Sequence, residues 1–204
     1  DCVPHPDGLT EGHKAVRGGE PIVGGEIQLF ASGTVPNWAE RLQMAFSFRV
    51  EDDLTHSGHV ATANLFVERR CFDLVGDFPE EAFSGGDREW ARRATQGGFV
   101  PKLARSALVY HPCRKSLPEL YRQKKRIAGG IRQFKSMGQR WSWLQRSLFV
   151  RLRYGRSMLK GKESSKEELH TNIVLLGLHY SLGLWQLIWS VIYLFFPRLE
   201  ARRE

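Results

Sequence analysis

A run without a single charged side chain limits the folds open to this chain. Residues 173–196, IVLLGLHYSLGLWQLIWSVIYLFF, contain no Asp, Glu, Lys or Arg. As a helix, this run would be about 36 Å long, which exceeds the roughly 30 Å of hydrocarbon in a bilayer. A helix of this length buried on all sides would need a much larger domain around it. The sequence therefore predicts a helix that associates with a membrane.

A narrow polar stripe interrupts this run. Its members recur at spacings of four and three residues, which places them on one face of a helix. They are His179, Gly183, Gln186, Ser190 and Tyr193. In a membrane such a stripe faces another helix rather than lipid. We therefore expect a helix partner in the membrane, on a missing segment or on another chain.

Charge divides the chain into three parts. Residues 1–100 carry 9 Lys and Arg against 16 Asp and Glu, a net charge of −7. Residues 101–166 carry 18 against 2, a net of +16, and residues 167–204 carry 3 against 4, a net of −1. A basic block of this kind can bind nucleic acid, anionic lipid or a phosphorylated ligand, and charge alone does not choose among them.

The basic block has the pattern of an amphipathic helix. Its apolar residues at helical spacing are Trp141, Leu144, Leu148 and Leu152, and the arginines off that stripe are Arg146, Arg153 and Arg156. Tryptophans beside arginines suit the headgroup layer. Basic residues concentrate on the cytoplasmic side of a span, which predicts that the acidic part lies on the cytoplasmic face. The arginines after residue 196 argue against that orientation, and a re-entrant or in-plane helix stays open.

The first hundred residues alternate between strand and helix patterns. EPIVGGEIQLF is predicted as a strand with a turn or bulge at Gly24–Gly25, and KLARSALVYH as a strand that ends at Tyr110 and His111. VPNWAERLQMAFSFRVEDD has helical periodicity, with Asn37 as its cap. Its predicted buried face consists of Trp38, Leu42, Ala45 and Phe46.

Three further segments continue the alternation. HVATANLFVERR is predicted as a strand, RCFDLVGDF as a short helix ended by Gly76, and DREWARRATQ as a helix closed by Gly97–Gly98. Such alternation predicts an α/β domain, in which ligands collect at the carboxyl ends of the strands.

Cysteines and the first residue carry two smaller predictions. Cys2, Cys71 and Cys113 are far apart and form no C-x-x-C pair, which favours buried thiols in a reducing compartment over disulfides or zinc. The sequence starts at Asp1 rather than at Met, so we interpret it as a piece of a longer chain, cut within a domain.

Six blocks in order carry a resemblance to a known family. They are DCVPHP, VGGEI, GHVATANLFVERRCFDLVGDF, GGDREWARRATQGG, ALVYHP and LYRQKKRIAGG, and together they cover about residues 1–131. In this order they resemble the carboxyl half of family 2 glycosyltransferases, enzymes of the GT-A fold. The resemblance implies a partial GT-A domain over residues 1–135, with its amino-terminal half upstream. A basic amphipathic region at 136–166 and a membrane-associated helix with a short tail at 167–204 would follow.

The resemblance also implies an activity. Family members move a sugar, here as a hexosyltransferase, from a nucleotide-diphosphate donor to a hydroxyl on a glycan or lipid-linked acceptor. The reaction is expected to invert the anomeric centre and to serve polysaccharide biosynthesis at the cytoplasmic membrane face. Without its upstream half, this piece of chain is expected to be inactive and to bind no nucleotide sugar.

Asp1 and His111 are the metal ligands that the resemblance implies. Asp1 in DCVP matches the last aspartate of the family's D-x-D motif, which holds a divalent cation on the donor diphosphate. His111 matches a histidine that approaches the same metal or diphosphate. Mg²⁺ or Mn²⁺ suits carboxylate and diphosphate oxygens.

Asp87 matches the catalytic acid of the family's G-G-D motif. The implied role is that of a general base, which removes the proton from the acceptor hydroxyl. The local sequence alone favours a helix cap, with the helix beginning at Arg88. Gly86 replaces the acid that many members have before this aspartate, so Glu89 is a second candidate.

Four further residues are implied in substrate binding. Asn64 and Trp90 match positions on the acceptor side, although a buried Asn and a core Trp explain the same residues. Gln123 and Arg126 in QKKRI resemble the Q-x-x-R-W motif of processive members and would hold the leaving diphosphate. Ile127 replaces the Trp, which argues against processivity, and a solvated basic helix is the alternative.

Two other classes of function compete with this interpretation. A non-catalytic membrane scaffold would use the apolar run and treat Asp87 as a cap. A nucleic-acid-binding module would use the basic block, but it would have no need of the apolar run. We therefore expect a membrane partner and no nucleic acid.

Overall fold

The computed structural model describes residues 2–80, 82–133, 137–142, 144–145, 152 and 166–196. They divide into two compact units. The first, which we call the sheet unit, comprises residues up to Val35, Ser47–Glu80 and Gly85–Cys113. The second, the helical unit, comprises Pro36–Phe46, residues 82–84 and the residues from Arg114 onward. Asp1 lies outside the described residues.

A four-stranded mixed sheet forms the centre of the sheet unit. Its strands are β1 (Val3–Pro4), β2 (Ile22–Phe30), β3 (Leu65–Val67) and β4 (Lys102–Pro112), in the order β1-β4-β2-β3. The central strands β2 and β4 are parallel, whereas β1 pairs antiparallel with β4 and β3 antiparallel with β2. The predicted mixed α/β class is confirmed, and both long predicted strands are present.

Seven helices whose bounds the structure describes accompany these strands, and residues 137–142 are helical as well. The seven are α1 (Gly8–Arg17), α2 (Trp38–Phe46), α3 (Val50–Ser57), α4 (Arg69–Val75), α5 (Gly86–Gln96), α6 (Leu117–Gly129) and α7 (Lys166–Phe195). Short 3₁₀ helices occupy Thr62–Asn64 and Gly130–Gln133. Helices α2, α6 and α7 belong to the helical unit, and the others belong to the sheet unit.

The predicted helix after Val35 is shorter than its pattern indicated. Asn37 caps α2 as predicted, because its Oδ1 accepts hydrogen bonds from the backbone N–H groups of Ala39 and Glu40 at 2.8 and 3.1 Å. Glu40 Oε2 accepts the Asn37 N–H in return, which completes a capping box. The helix stops at Phe46 because Phe48 adopts a left-handed φ of 50°, and α3 follows as a separate helix.

The predicted buried face of α2 is also partly wrong. Trp38 is 41% exposed, whereas Ala39 and Leu42 are buried. Leu42 packs in one apolar cluster with Leu120 of α6 and Leu175 of α7, and Ala45 and Phe46 lie against this cluster. Ala39 therefore takes the place predicted for Trp38, and the rest of the predicted face packs as expected.

The sheet unit has a core with aromatic residues of its own. Ile22 of β2, Cys71 of α4, and Trp90 and Ala94 of α5 form one buried cluster. Cys71 and Cys113 are buried thiols, as predicted, whereas Cys2 is only partly buried, so the prediction is wrong for it. Burial raises the pKa of Cys71. The helices α4 and α5 are thus fixed against β2.

The helical unit contains the long apolar helix. Residues 168–195 of α7 are long and apolar enough to cross a membrane by length and composition alone. The predicted polar stripe is buried: His179 stacks on Phe46 with ring centroids 4.0 Å apart, and Tyr193 packs with Ala128 and Ile131. The stripe faces helices, as predicted, but these helices belong to the same chain rather than to a separate partner.

The predicted amphipathic stripe in the basic block falls largely outside the described residues. Trp141 and Leu152 are exposed and Leu144 is buried. Leu148, Arg146, Arg153 and Arg156 lie outside the part of the chain that the structure describes.

Candidate functional site

Asp87 lies in the first turn of α5 and not at its cap. The cap is Gly85, whose left-handed φ of 82° is a conformation that glycine adopts without a steric penalty. The predicted cap role of Asp87 is therefore wrong, because the helix begins one residue before it. Its Oδ1 accepts a hydrogen bond from the backbone N–H of Arg88 at 2.8 Å. A carboxylate at this position is stabilised by the positive end of the helix dipole.

His59 is the side-chain partner of Asp87. Its Nε2 lies 3.4 Å from Oδ2 of Asp87, with the two side chains 13% and 24% exposed. An ionised carboxylate only accepts, so Nε2 donates in this pair. His59 is placed by the end of α3, where Gly58 adopts a φ of 61° and the His59 N–H points at the Asp53 carbonyl, 3.4 Å away.

The surroundings of Asp87 keep its carboxyl ionised. Burial acts to raise the pKa of Asp87, but the hydrogen bond and charge of His59 and the N–H and charge of Arg88 outweigh burial and lower it below its usual value. Each carboxylate oxygen has one of these donors, and each retains a lone pair for a further one. Because the side chain is partly exposed, an incoming hydroxyl can donate its proton there.

Glu89 already binds an arginine. The Nε and one terminal nitrogen of Arg92 lie 2.8 Å from its two carboxylate oxygens, and Arg93 Nε lies 3.7 Å from one of them. A bidentate guanidinium satisfies a carboxylate from one side. Glu89 stays a predicted second base, and the geometry favours Asp87 over it.

Trp90 is a core residue in this structure. It is 1% exposed, and its Nε1 donates to the Gly76 carbonyl at 2.7 Å. The indole packs against both Phe72 and Phe78, with centroid distances of 4.9 and 5.3 Å. Trp90 therefore holds α5 against α4, and its contact with an acceptor stays a prediction.

Asn64 lies at an irregularity between β2 and β4. The register of these strands shifts after Gly25, which pairs with Ala104, because the next residue, Glu26, pairs with Leu108. The Nδ2 of Asn64 donates to the Glu26 and Ala107 carbonyls, at 2.8 Å each. The irregularity occurs at the predicted place on β2, but the extra residues, 105–107, belong to β4, and the buried amide of Asn64 bridges the two strands there. A role in substrate binding stays a prediction.

His111 lies at the carboxyl end of the parallel strand pair, opposite Leu29. The Pro112 carbonyl accepts a hydrogen bond from Nδ1 at 2.8 Å, so Nε2 carries the lone pair in the neutral ring. A metal-binding histidine commonly has such a carbonyl partner. The described residues contain no group of three His, Cys, Asp or Glu that could hold a metal, and the metal-binding role of His111 stays a prediction.

Gln123 and Arg126 belong to the helical unit. They lie on α6, three residues apart and therefore on one face, and both are half-buried. Thus the structure pairs Asp87 with His59, places the Asn64 amide beside β2 and β4 and His111 near the end of β4, and puts Gln123 and Arg126 on another element.

His59 is the residue that sequence reasoning missed. It stands in the block GHVATANLFVERR, directly after a glycine that ends a helix. A histidine placed between a helix stop and a buried strand is a usable signal, but its partner is 28 positions away in the sequence. Only the fold brings the two side chains together.

Comparisons with known proteins agree in part with the resemblance. Over 134 residues, 64% of this chain, the sequence is 32% identical to the glycosyltransferase AglE of Haloferax volcanii. The chain spans 42% of the length of that curated relative. No protein-family profile matches the chain, and no solved structure matches it. The similarity supports a glycosyltransferase in general; family 2 and the GT-A fold stay predictions.

Proposed function

We propose that this protein is a glycosyltransferase in which Asp87 is the general base. The observation that carries the proposal is the partly exposed, ionised Asp87 carboxylate, held by His59 and by the N–H of Arg88. The similarity to AglE, itself named a glycosyltransferase, supports the reaction class. A free lone pair on a held carboxylate is what a base needs to accept the proton of a hydroxyl.

The proposed reaction is an inverting displacement. The acceptor hydroxyl attacks the anomeric carbon of a sugar on a nucleoside diphosphate, and its proton passes to Asp87 as the new C–O bond forms. The bond from that carbon to the diphosphate breaks with its electron pair, which leaves a nucleoside diphosphate. General-base help of this kind accelerates a reaction by about 10²–10⁴-fold. The donor as a hexose nucleotide and membership of family 2 are parts of the proposal.

Binding residues are proposed for both the donor and the acceptor. Gln123 and Arg126 would hold the leaving diphosphate, because a guanidinium stabilises the charge that develops there. Asn64 and Trp90 would act on the acceptor side, where their buried positions limit them to shaping the site through β4 and α5. The acceptor would be a glycan or lipid-linked hydroxyl used in polysaccharide biosynthesis.

We further propose that a divalent cation, Mg²⁺ or Mn²⁺, takes part in the reaction. His111 would contribute its Nε2, the nitrogen left with a lone pair by the bond to Pro112. Asp1, outside the described residues, would contribute a carboxylate. When bound, such a cation neutralises charge on the donor diphosphate.

The enzyme is proposed to work at a membrane. Helix α7 supplies an apolar surface, and the basic block preceding it favours anionic lipid. The same charge pattern favours the cytoplasmic face for the catalytic part.

Replacement of Asp87 tests the chemistry. In the full-length protein, Asp87→Asn keeps an oxygen that accepts the Arg88 N–H but loses the basic carboxylate. We expect the rate of sugar transfer to fall by about 10²–10⁴-fold, while donor affinity and the circular dichroism spectrum stay unchanged. Glu89→Gln is the matched control on the same helix, and we expect a smaller loss from it.

Three other results of these assays would contradict the proposed function. Transfer at the wild-type rate by Asp87→Asn would remove the base assignment. If the wild-type protein showed no transfer or donor hydrolysis but bound membranes, the scaffold interpretation would replace this one. Salt-sensitive binding to DNA rather than to anionic vesicles would instead indicate the nucleic-acid module.

A further inference from the structure

Helix α7 exposes a continuous row of apolar side chains. Its exposed residues recur every three or four positions and form one apolar stripe, which we call the outer stripe. It consists of Leu169, Ile173, Gly177, Tyr180, Leu184, Ile188, Val191 and Phe195. The opposite face, which includes Leu175 and Leu182 as well as His179, Gln186 and Ser190, is buried. A helix on the surface of a soluble protein instead exposes a polar face to water.

The inner face of α7 is fastened to α6. Tyr121 makes two contacts there: its hydroxyl is 3.0 Å from Ser181 Oγ, and its carbonyl accepts the Trp185 Nε1–H at 3.1 Å. One turn further along, the Lys125 ammonium lies 4.0 Å from the centroid of the Trp189 ring. These polar and cation–π contacts fix α6 along the middle of α7.

The contacts continue toward both ends of α7. Leu175 lies in the apolar cluster with Leu42 and Leu120, and Tyr193 lies in the cluster with Ile131. The Arg132 guanidinium is 4.9 Å from the Tyr193 ring. From Leu175 to Tyr193, therefore, one side of α7 is covered by its own chain.

This packing is incompatible with α7 crossing a bilayer. If α7 spanned the hydrocarbon, α6 would be drawn in with it, because their contacts cover the centre of the helix. Yet α6 carries Arg122, Lys124, Lys125 and Arg126 within five consecutive residues. Cations at the bilayer centre are among the most costly groups to place there. An orientation parallel to the membrane surface keeps α6 on the aqueous side and the outer stripe in lipid.

We propose that α7 lies in the plane of a membrane surface and inserts its outer stripe among the acyl chains of an anionic lipid leaflet. The inference rests on the membrane association proposed above and is independent of the sugar-transfer chemistry. Charge complementarity favours lipid as the occupant, because residues 101–166 carry a net charge of +16 and adjoin α7 in sequence. Basic segments beside an inserted apolar face strengthen binding to anionic lipid.

Depth measurements distinguish an in-plane helix from a spanning one. Ile173, Leu184 and Phe195 lie on the outer stripe, and successive members are about three helical turns apart. Each is replaced by Cys in the full-length Cys2→Ser protein and labelled with a fluorophore. Quenching by lipids brominated at different depths is then measured in vesicles of phosphatidylcholine and phosphatidylglycerol.

The two orientations give different depth profiles. We expect all three labels at one shallow depth, about 5–10 Å into the boundary between headgroups and acyl chains. A label on Leu184→Cys near the bilayer centre, with the other two near opposite surfaces, would overturn the proposal. Absence of quenching at all three positions would overturn it as well.

A charge introduced into the outer stripe tests whether this surface contributes to the affinity for vesicles. Leu184→Glu is expected to weaken binding to these vesicles by about tenfold or more, because the stripe no longer partitions into lipid. The matched control is Leu74→Glu on α4, since Leu74 is 73% exposed but lies in the sheet unit. We expect it to bind as the wild type does.

Sedimentation and enzyme assays distinguish lipid binding from self-association and from the proposed activity. If the outer stripe instead joined two copies of the chain, Leu184→Glu would convert a dimer into a monomer in sedimentation, with vesicle binding unchanged, and the proposal would fail. Transfer to a soluble acceptor is measured in parallel. Absence of transfer with the expected depth profile would remove the proposed activity and support the membrane inference.

Discussion

Nε2 of His59 lies 3.4 Å from Oδ2 of Asp87, and the two side chains are 13% and 24% exposed. The pair joins the end of α3 to the first turn of α5, two elements that no local pattern connects. His59 lowers the pKa of Asp87 against the opposing effect of burial. We therefore treat His59 as a positioning residue for the proposed base, since it acts on the substrate only through Asp87.

Removal of His59 should shift the pH dependence of transfer. In His59→Ala the pKa of Asp87 rises, because burial remains and the donor is lost. The acidic limb of kcat/KM should therefore move to higher pH, with a rate near that of the wild type well above it. His59→Gln is the matched variant, since its amide N–H can still donate, and we expect a smaller shift of the limb.

A different profile would reverse the two roles. If His59 were itself the base, oriented by Asp87, His59→Gln would lose about 10²–10⁴-fold of the rate at every pH. An unmoved acidic limb in His59→Ala would show that the pair has only a structural role.

Asp87 should also make stability depend on pH. Its folded-state pKa lies below the unfolded value of about 3.9. The ionised carboxylate therefore contributes stability that is fully present above that value and is lost as the pH falls through the folded pKa. The free energy of unfolding in urea should exceed that of Asp87→Asn near neutral pH, and the difference should shrink below about pH 4. A difference that grows with acidity would contradict the direction of the shift.

The sequence predicted the end of a helix correctly where the helical pattern stops at a residue that itself caps or ends a helix. Asn37 caps α2 and Gly76 ends α4. In each case the residue at the boundary has a short-range physical role, so the sequence suffices to find it.

Helix α1 shows why other parts were not predictable. Gly8 and Gly12 lower its helix propensity. A Cβ at Gly8 would lie 2.6 Å from the Leu108 carbonyl oxygen, and one at Gly12 would lie 2.2 Å from the Phe66 ring. These glycines let α1 approach β4 and β3 closely. Leu108 follows Gly8 by 100 positions and Phe66 follows Gly12 by 54, so no local pattern records either contact.

In the candidate site, too, some residues were predictable from local sequence and others were not. The motif predicts Asp87 as a site residue, and its place in the first turn of α5 agrees with a helix start near that motif. The predicted cap is wrong, because Gly85, a glycine with positive φ two residues before Asp87, caps the helix instead. His59 was missed since a hydrogen bond between distant side chains leaves no periodic signal.

Gly25 should be intolerant of a side chain. A Cβ at this position would lie 2.2 Å from Asn64 Nδ2 and 2.3 Å from the Ala107 carbonyl oxygen. Gly25→Ala must therefore displace the amide that bridges β2 and β4, and we expect a loss of about 1–3 kcal/mol in the free energy of unfolding. Gly33→Ala is the matched control, because a Cβ at Gly33 meets no atom within 4 Å. Equal stability of the two variants in urea unfolding would contradict the bridging role of Asn64.

Removal of the hydroxyl from each of two tyrosines in the helical unit should change the free energy of unfolding in opposite directions. Tyr193 is 1% exposed, and among the described residues its hydroxyl has no hydrogen-bond partner. Tyr193→Phe removes a buried polar group without breaking a bond and keeps the ring beside Arg132, so the free energy of unfolding should rise by up to about 1 kcal/mol. Tyr121→Phe is the matched change, and it should lower that free energy by about 1 kcal/mol because the bond to Ser181 at 3.0 Å is lost. Urea unfolding in detergent measures both, and a Tyr193→Phe variant less stable than Tyr121→Phe would show that the Tyr193 hydroxyl is satisfied after all.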